Sequence, residues 1–231
     1  MFDAVLFDLD GTLTDPEVGI VGSFRHALTT VGHPPADDAD LRWMIGPPIR
    51  ANLLDYGLPE HLHDDAVEAY RQRHLATGLY EATLHPGIVD LLVDLGTAGV
   101  DVAVATLKPP LQATRTLAHF GLDALVQVTA GAGPAALHDK RVIVADALTR
   151  LGRGGGAGVD GRANGRSDGR GAAGRVAMVG DRAQDVDGGR FNGCTTVGVT
   201  WGFAPPGELE AAAPDHLVDT VADLRTLLLG T

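Results

Sequence analysis

A single cysteine, Cys194, leaves no intramolecular disulfide to brace the fold and suits a reducing compartment. No apolar run approaches the roughly 20 residues that a membrane-spanning helix needs. The first residues already read as a strand, with no basic leader and cleavage site, so no secretory signal is expected. Positive charge is scarce. Eighteen Lys and Arg stand against 30 Asp and Glu, for a net charge of −12. That balance argues against nucleic acid and against anionic membrane surfaces as partners. A small anionic substrate stays possible, because a bound cation and a lysine can reverse the sign locally. The expectation is a soluble, cytoplasmic protein whose oligomeric state is open. What is present is ordinary: 45% hydrophobic residues in a chain of 231, enough for one large domain or a core with an insert.

Short Val/Ala/Leu-rich runs at 4–9, 100–105, 125–129, 176–179 and 195–199 read as strands buried on both faces. Helical patterns alternate with them at 86–98, 109–120, 139–151 and 183–191. Strand-helix alternation predicts an α/β fold with a doubly wound parallel sheet. Its active site should then lie at the carboxyl ends of the strands.

Residues 15–84 break the alternation. Asp15-Pro16-Glu17 is a good helix start, with a cap, a proline at the first position and an acid in the first turn. Val18, Val21, Phe24, Leu28 and Val31 follow at helical spacing, and Gly32 can end the helix. Further helices are expected near 37–45, 48–56 and 59–77, with Ile45-Gly46-Pro47-Pro48 as a loop. The expected organisation is a core of 1–14 and 85–231 with an all-helical cap of 15–84 above the end of the first strand. Residues 152–175 hold ten glycines and five arginines, a composition that builds no core and reads as a flexible surface loop.

The chemistry concentrates in FDLDGTLTD, residues 7–15. Asp8 and Asp10 lie two apart at a strand end, so their side chains leave on one face. Like charges this close raise one another's pKa. Such a pair holds a cation, works as an acid/base couple, or does both. Thr106 ends the second strand and can donate to an anionic oxygen. Lys140 opens an apolar helix, where ammonium and helix N-terminus both favour an anion. Asp181 and Asp185 lie four apart at a helix start and are expected on one face of it. Arg182 is expected to face solvent or pair with an acid. Four carboxylates and one lysine make a strongly negative cluster of hard oxygen ligands, which suits Mg²⁺. No cysteine or spaced histidine pair accompanies them, so zinc is not expected.

The order DxDGT, strand-end Thr, Lys, then GDxxxD resembles the haloacid dehalogenase superfamily. The insert resembles its helical-cap class, and IGPPI, YEATLHPGI and GVTWGF are similar to the phosphoglycolate phosphatase-like group. The resemblance implies a Rossmann-like core and gives Asp8 the part of nucleophile. Asp10 takes that of general acid, then base. Thr106 and Lys140 would bind the transferring phosphoryl oxygens. Mg²⁺ would sit on Asp8, the Asp10 backbone carbonyl and Asp181, with Asp185 as a supporting acid. One ionised and one protonated carboxyl is a sound division of labour. The chain departs from relatives at Leu107, where a small polar residue is usual, and in the low polarity of 130–138. Lys108 is the alternative cation if Lys140 does not serve.

The implied activity is Mg²⁺-dependent hydrolysis of a small phosphorylated metabolite, of phosphoglycolate type. A 5'-nucleotidase, a pyrophosphatase, a sugar phosphomutase and a non-catalytic binding protein on the same fold are the competing readings. A dehalogenase is disfavoured, because that reaction has no use for Asp10 or for Mg²⁺. Substrate choice is expected in the cap, with Arg50 of the Ile45–Arg50 loop as the selecting residue.

Overall fold

The computed structural model describes residues 2–133, 139–153 and 175–230. Most of the expected glycine-rich loop, at 154–174, therefore lies outside the described residues, as do 134–138 of the segment before Lys140. The chain divides into two compact units, Met1–Thr14 with Leu84–Thr231, and Asp15–Thr83.

The chain runs β1 (Ala4–Phe7), β2 (Thr14–Asp15), α1 (Glu17–Thr30), α2 (Ile49–Asp55), α3 (His63–Ala76) and β3 (Thr83–Leu84). It continues through α4 (Ile88–Thr97), β4 (Asp101–Thr106), α5 (Pro110–His119), β5 (Val128–Gly131) and α6 (Lys140–Arg150). The last elements are β6 (Val176–Gly180), α7 (Ala183–Phe191), β7 (Thr195–Val199), α8 (Glu208–Ala212), β8 (His216–Val218) and α9 (Val221–Leu229).

In the first unit, six strands form one parallel sheet in the order β5-β4-β1-β6-β7-β8. Both faces are buried, and alternation along each strand decides which side chain goes where. Val5, Phe7, Val102, Val104, Ala177 and Val179 join one core with Leu91, Leu95 and Leu224 of α4 and α9. Ala4, Leu6, Ala103, Ala105, Val176 and Met178 join the other with Ile143, Val144 and Ala147 of α6. The chain leaves β1 for β4 on one side and β6 for β7 on the other. Adjacent β1 and β6 thus form the topological switch point, where open α/β sheets bind ligands.

The second unit is helical and is organised by α1 against α3. Phe24 and Tyr70 meet across it with ring centroids 4.6 Å apart. Ser23, His74 and Arg73 form a polar seam there, with Arg73 2.8 Å from Glu81.

Some expected elements change. The helix at 37–45 reduces to a single turn over Arg42–Met44. Asp40 accepts from its neighbour's backbone, Arg42 N, at 2.9 Å, an alternative to helical bonding that aspartate offers readily. The strand expected at 125–129 starts three residues later. Leu125 instead bonds back to Leu122 in a turn, and Gln127 completes the edge of β4. Among the described residues, no helix is long and apolar enough to cross a membrane.

Candidate active site

Phe7 ends β1, and the next residue, Asp8, stays in register by donating its N–H to Val179 O at 2.9 Å. The chain then closes a tight loop, with Leu13 N bonded to Leu9 O and Gly11 N to Thr14 O. Gly11 sits at φ +85°, and a Cβ there would come 2.3 Å from Asp181 Oδ2. Only glycine serves both the turn and the approach. The loop thereby lies directly against the end of β6.

Asp181 follows β6 and is 1% exposed. Its carboxylate accepts from Thr12 Oγ1 at 3.3 Å and from Phe203 N at 2.8 Å. Arg182 is the N-cap of α7, so Asp181 precedes the helix rather than sharing a face of it with Asp185. The two acids still converge, because Asp185 turns back to accept from Arg182 N at 3.0 Å. Arg182 itself pairs with Glu208 at 2.9 Å.

Lys140 is the first residue of α6, whose N-cap Asp139 accepts from Arg141 N at 2.9 Å. Its buried Nζ lies 2.9 Å from Asp8 and 2.6 Å from Asp185. Burial opposes the ammonium, but Asp185 and Asp8 outweigh it and hold the lysine above its usual pKa. Burial, then the charges of Asp185 and Asp8, push Asp181 up to about 7. Burial likewise raises Asp185, against the pull of Lys140.

Thr106 closes β4 and is buried; its Oγ1 accepts from Lys108 N at 3.2 Å, which leaves the hydroxyl proton to donate. The expectation of one lysine among the acids is corrected. Lys108 Nζ lies 2.5 Å from Asp10 Oδ2, so the site carries two.

Carboxylate oxygens of Asp8, Asp181 and Asp185 all lie within 4.8 Å of one another. Three buried hard donors so close fit a divalent cation such as Mg²⁺. Among carboxylates, the structure groups Asp185 rather than Asp10 with Asp8 and Asp181. The Asp10 side chain is turned instead to Lys108.

Arg50 is not in a loop. It lies in the first turn of α2, in the second unit, where its exposed guanidinium pairs with Asp64. Thr12 and Glu208 escaped the sequence reading. Thr12 stands inside the DGT signature and could have been read as a side-chain donor. Phe203 ends the GVTWGF run noted in the sequence, but it acts through its backbone N–H on Asp181, a part its side chain does not reveal.

Haloacid dehalogenase-like hydrolases match residues 5–199 of this chain. The chain belongs to that family. Among its relatives is the tyrosine-protein kinase PtkA of Mycobacterium tuberculosis, 41% identical over 200 residues. The match covers 86% of this chain and 62% of that protein, so the chain spans only about three-fifths of this relative's length. A solved PtkA structure superposes with a TM-score of 0.78 at 38% identity, covering 98% of each chain. A 5'-nucleotidase of Pseudomonas aeruginosa is 36% identical, covering 97% of this chain and 94% of the relative. A phosphoglycolate phosphatase of Agrobacterium fabrum is 30% identical, covering 96% and 91%. The parallel sheet and flanking helices are thus the architecture of a haloacid dehalogenase-like hydrolase.

Proposed function

We propose that the protein is a phosphoric monoester hydrolase that acts through an aspartyl-phosphate on a small phosphorylated metabolite, with Mg²⁺ as cofactor. One observation carries this reading: Asp8, at the buried end of β1, faces Lys140, while Asp10, two residues on, sits at the more open edge. A buried carboxylate beside an ammonium suits attack on a phosphoryl group. A second carboxylate nearer solvent suits proton exchange with leaving oxygen and water.

The Asp8 carboxylate forms a bond to phosphorus as the ester P–O bond breaks, and Asp10 gives its proton to the departing oxygen. Asp10 then takes a proton from water, whose oxygen bonds to phosphorus as the Asp8–phosphorus link breaks. Thr106 and Lys140 hold the non-bridging oxygens. Mg²⁺ on Asp8, Asp181 and the Asp10 carbonyl, supported by Asp185, would neutralise charge on the phosphoryl group. Asp15–Thr83 acts as a cap that selects substrate. Arg50 takes part in that choice, since its exposed pair with Asp64 is weak enough to be exchanged for a ligand.

The relatives' names support phosphoglycolate first and a nucleoside 5'-monophosphate second. A different reading has one specific support, the 41% identity to PtkA. There the phosphoryl group would pass to a tyrosine hydroxyl instead of water. Initial rates with Mg²⁺ decide among these. The panel comprises 2-phosphoglycolate, nucleoside 5'-monophosphates, pyrophosphate and hexose phosphates, with labelled ATP plus a tyrosine polymer as the kinase arm. Release of inorganic phosphate from a monoester is expected. Label on tyrosine without monoester hydrolysis would overturn the hydrolase reading.

A further inference from the structure

We infer that Lys108 reads a second anionic group on the substrate, carried beside the oxygen that leaves. The inference rests on the hydrolase reading, in which Asp10 serves that oxygen. Lys140 is committed to Asp8 and Asp185, on the side where phosphorus is attacked. Among the described residues Lys108 pairs with Asp10, and its side chain is only 6% exposed while that of Asp10 is 22% exposed. The two ammoniums therefore address different parts of a bound ester.

Lys108 is not a surface lysine that happened to find an acid. Its carbonyl accepts from Ala132 N at 3.2 Å, and a Cβ on Gly131 would come 2.6 Å from that same oxygen. The end of β5 is thus pressed onto this residue. Pro109 and Pro110 follow at once and start α5. The backbone that launches the side chain is fixed from both directions.

An ammonium bonded to one Asp10 oxygen lies within about 6 Å of an atom bonded to that same oxygen and within about 8 Å of one bonded to the other. A carboxylate one carbon from the ester carbon, or the second phosphate of a diphosphate, falls inside that reach. A neutral sugar alcohol offers nothing for the charge to bond. Taking a lysine out of water is costly, and a charge-assisted contact with substrate is a use that offsets the cost. The chemistry named is an anion on the leaving group, and its two sources are a carboxylate and a phosphate.

The test compares kcat/KM for 2-phosphoglycolate, its uncharged amide, pyrophosphate and AMP, at saturating Mg²⁺, in wild type, Lys108→Met and Lys108→Arg. The preference of wild type for 2-phosphoglycolate over the amide should fall about tenfold or more in Lys108→Met and survive largely in Lys108→Arg. If pyrophosphate alone loses rate selectively, the second anion is a phosphate and the inference stands. An equal factor for every substrate overturns it. Wild type inactive on all four would instead remove the hydrolase reading beneath it. A measurement on wild type needs no variant to fold. Glycolate should inhibit p-nitrophenyl phosphate hydrolysis at least tenfold more tightly than glycolamide, and equal inhibition together with no selective loss on pyrophosphate in Lys108→Met overturns the inference.

Discussion

Lys140 Nζ and Asp185 Oδ1 meet at 2.6 Å in a part of the site almost sealed from water, with side chains 2% and 1% exposed. Neither charge has solvent to fall back on. Breaking a buried pair from one side commonly costs about 3–5 kcal/mol. Lys140→Met should approach that loss at pH 8, since it leaves Asp8, Asp181 and Asp185 facing one another without a cation. Added Mg²⁺ should restore part of it. Urea unfolding with and without the metal measures both effects. A loss under about 1 kcal/mol would show that the acids relieve themselves by other means.

The nucleophile assignment predicts a separation of activity from stability. Asp8→Asn keeps the shape of the side chain, and Lys140 keeps its contact with Asp185. Turnover should fall by several orders of magnitude, as removal of a covalent nucleophile commonly does. The thermal midpoint should hold or rise, because one of three crowded carboxylates is gone. Residual activity above about one per cent of wild type would reject Asp8 in that role.

Legibility of the chain follows how many contacts each segment needs. Core strands such as Val176–Gly180 are buried at every position, and a continuous apolar run declares them. The three-residue β8 is mostly exposed, and α8 buries only Leu209, so neither has a pattern to read. In α9 only Leu224 and Leu228 are buried, too few to mark a face. In the site, Asp8, Asp181 and Lys140 were legible as strand and helix ends in a known order. Lys108 on Asp10 was not, because that contact depends on how the β4 loop and the β1 loop meet. Neither was Phe203 N on Asp181, a backbone bond made across 22 residues.

Protonation sets the metal's competitor. Burial and the neighbouring acids raise Asp181 from 3.8 to about 7. Between those values the folded, metal-free protein holds a proton that the unfolded chain has released, so stability falls as pH rises through that window. A divalent cation held by Asp181 would have to displace this proton. The rise in thermal midpoint on adding Mg²⁺ should therefore be larger at pH 8 than at pH 6. Equal shifts at both values would contradict the placement of the cation on this acid. EDTA should abolish turnover and Mg²⁺ should restore it, whereas Ca²⁺, with longer bonds and more ligands, should substitute poorly.

Cys194 is buried, and the loss of solvent pushes its thiol up to about 12. The thiolate is the reactive form, so the native protein should be inert to Ellman's reagent at pH 8. One equivalent should react after unfolding in guanidinium, matching the single cysteine of the chain. Rapid reaction of the native protein would mean that the start of β7 opens readily.

Two glycines separate a steric demand at the site from simple backbone strain. A Cβ on Gly202 would lie 2.3 Å from Asp181 Cβ and 2.4 Å from Oδ2. The carboxylate cannot swing aside, because Phe203 N holds one oxygen at 2.8 Å and Thr12 Oγ1 the other at 3.3 Å. Gly202→Ala must therefore move either the 202–203 backbone or the acid itself. Overpacking of this kind costs about 1–3 kcal/mol. Disturbing groups that orient a metal ligand commonly weakens affinity 10–100-fold. Gly32, in the second unit, has φ +79°, and a Cβ placed there would meet nothing within 4 Å. Gly32→Ala should cost about 1–2 kcal/mol through the left-handed backbone alone and leave the metal untouched. Mg²⁺ titration by calorimetry on both variants makes the comparison. Gly202→Ala should need at least tenfold more Mg²⁺ and regain turnover as the metal is raised, while Gly32→Ala should titrate like wild type. If Gly202→Ala binds Mg²⁺ normally, Asp181 is not a metal ligand held in place by this segment.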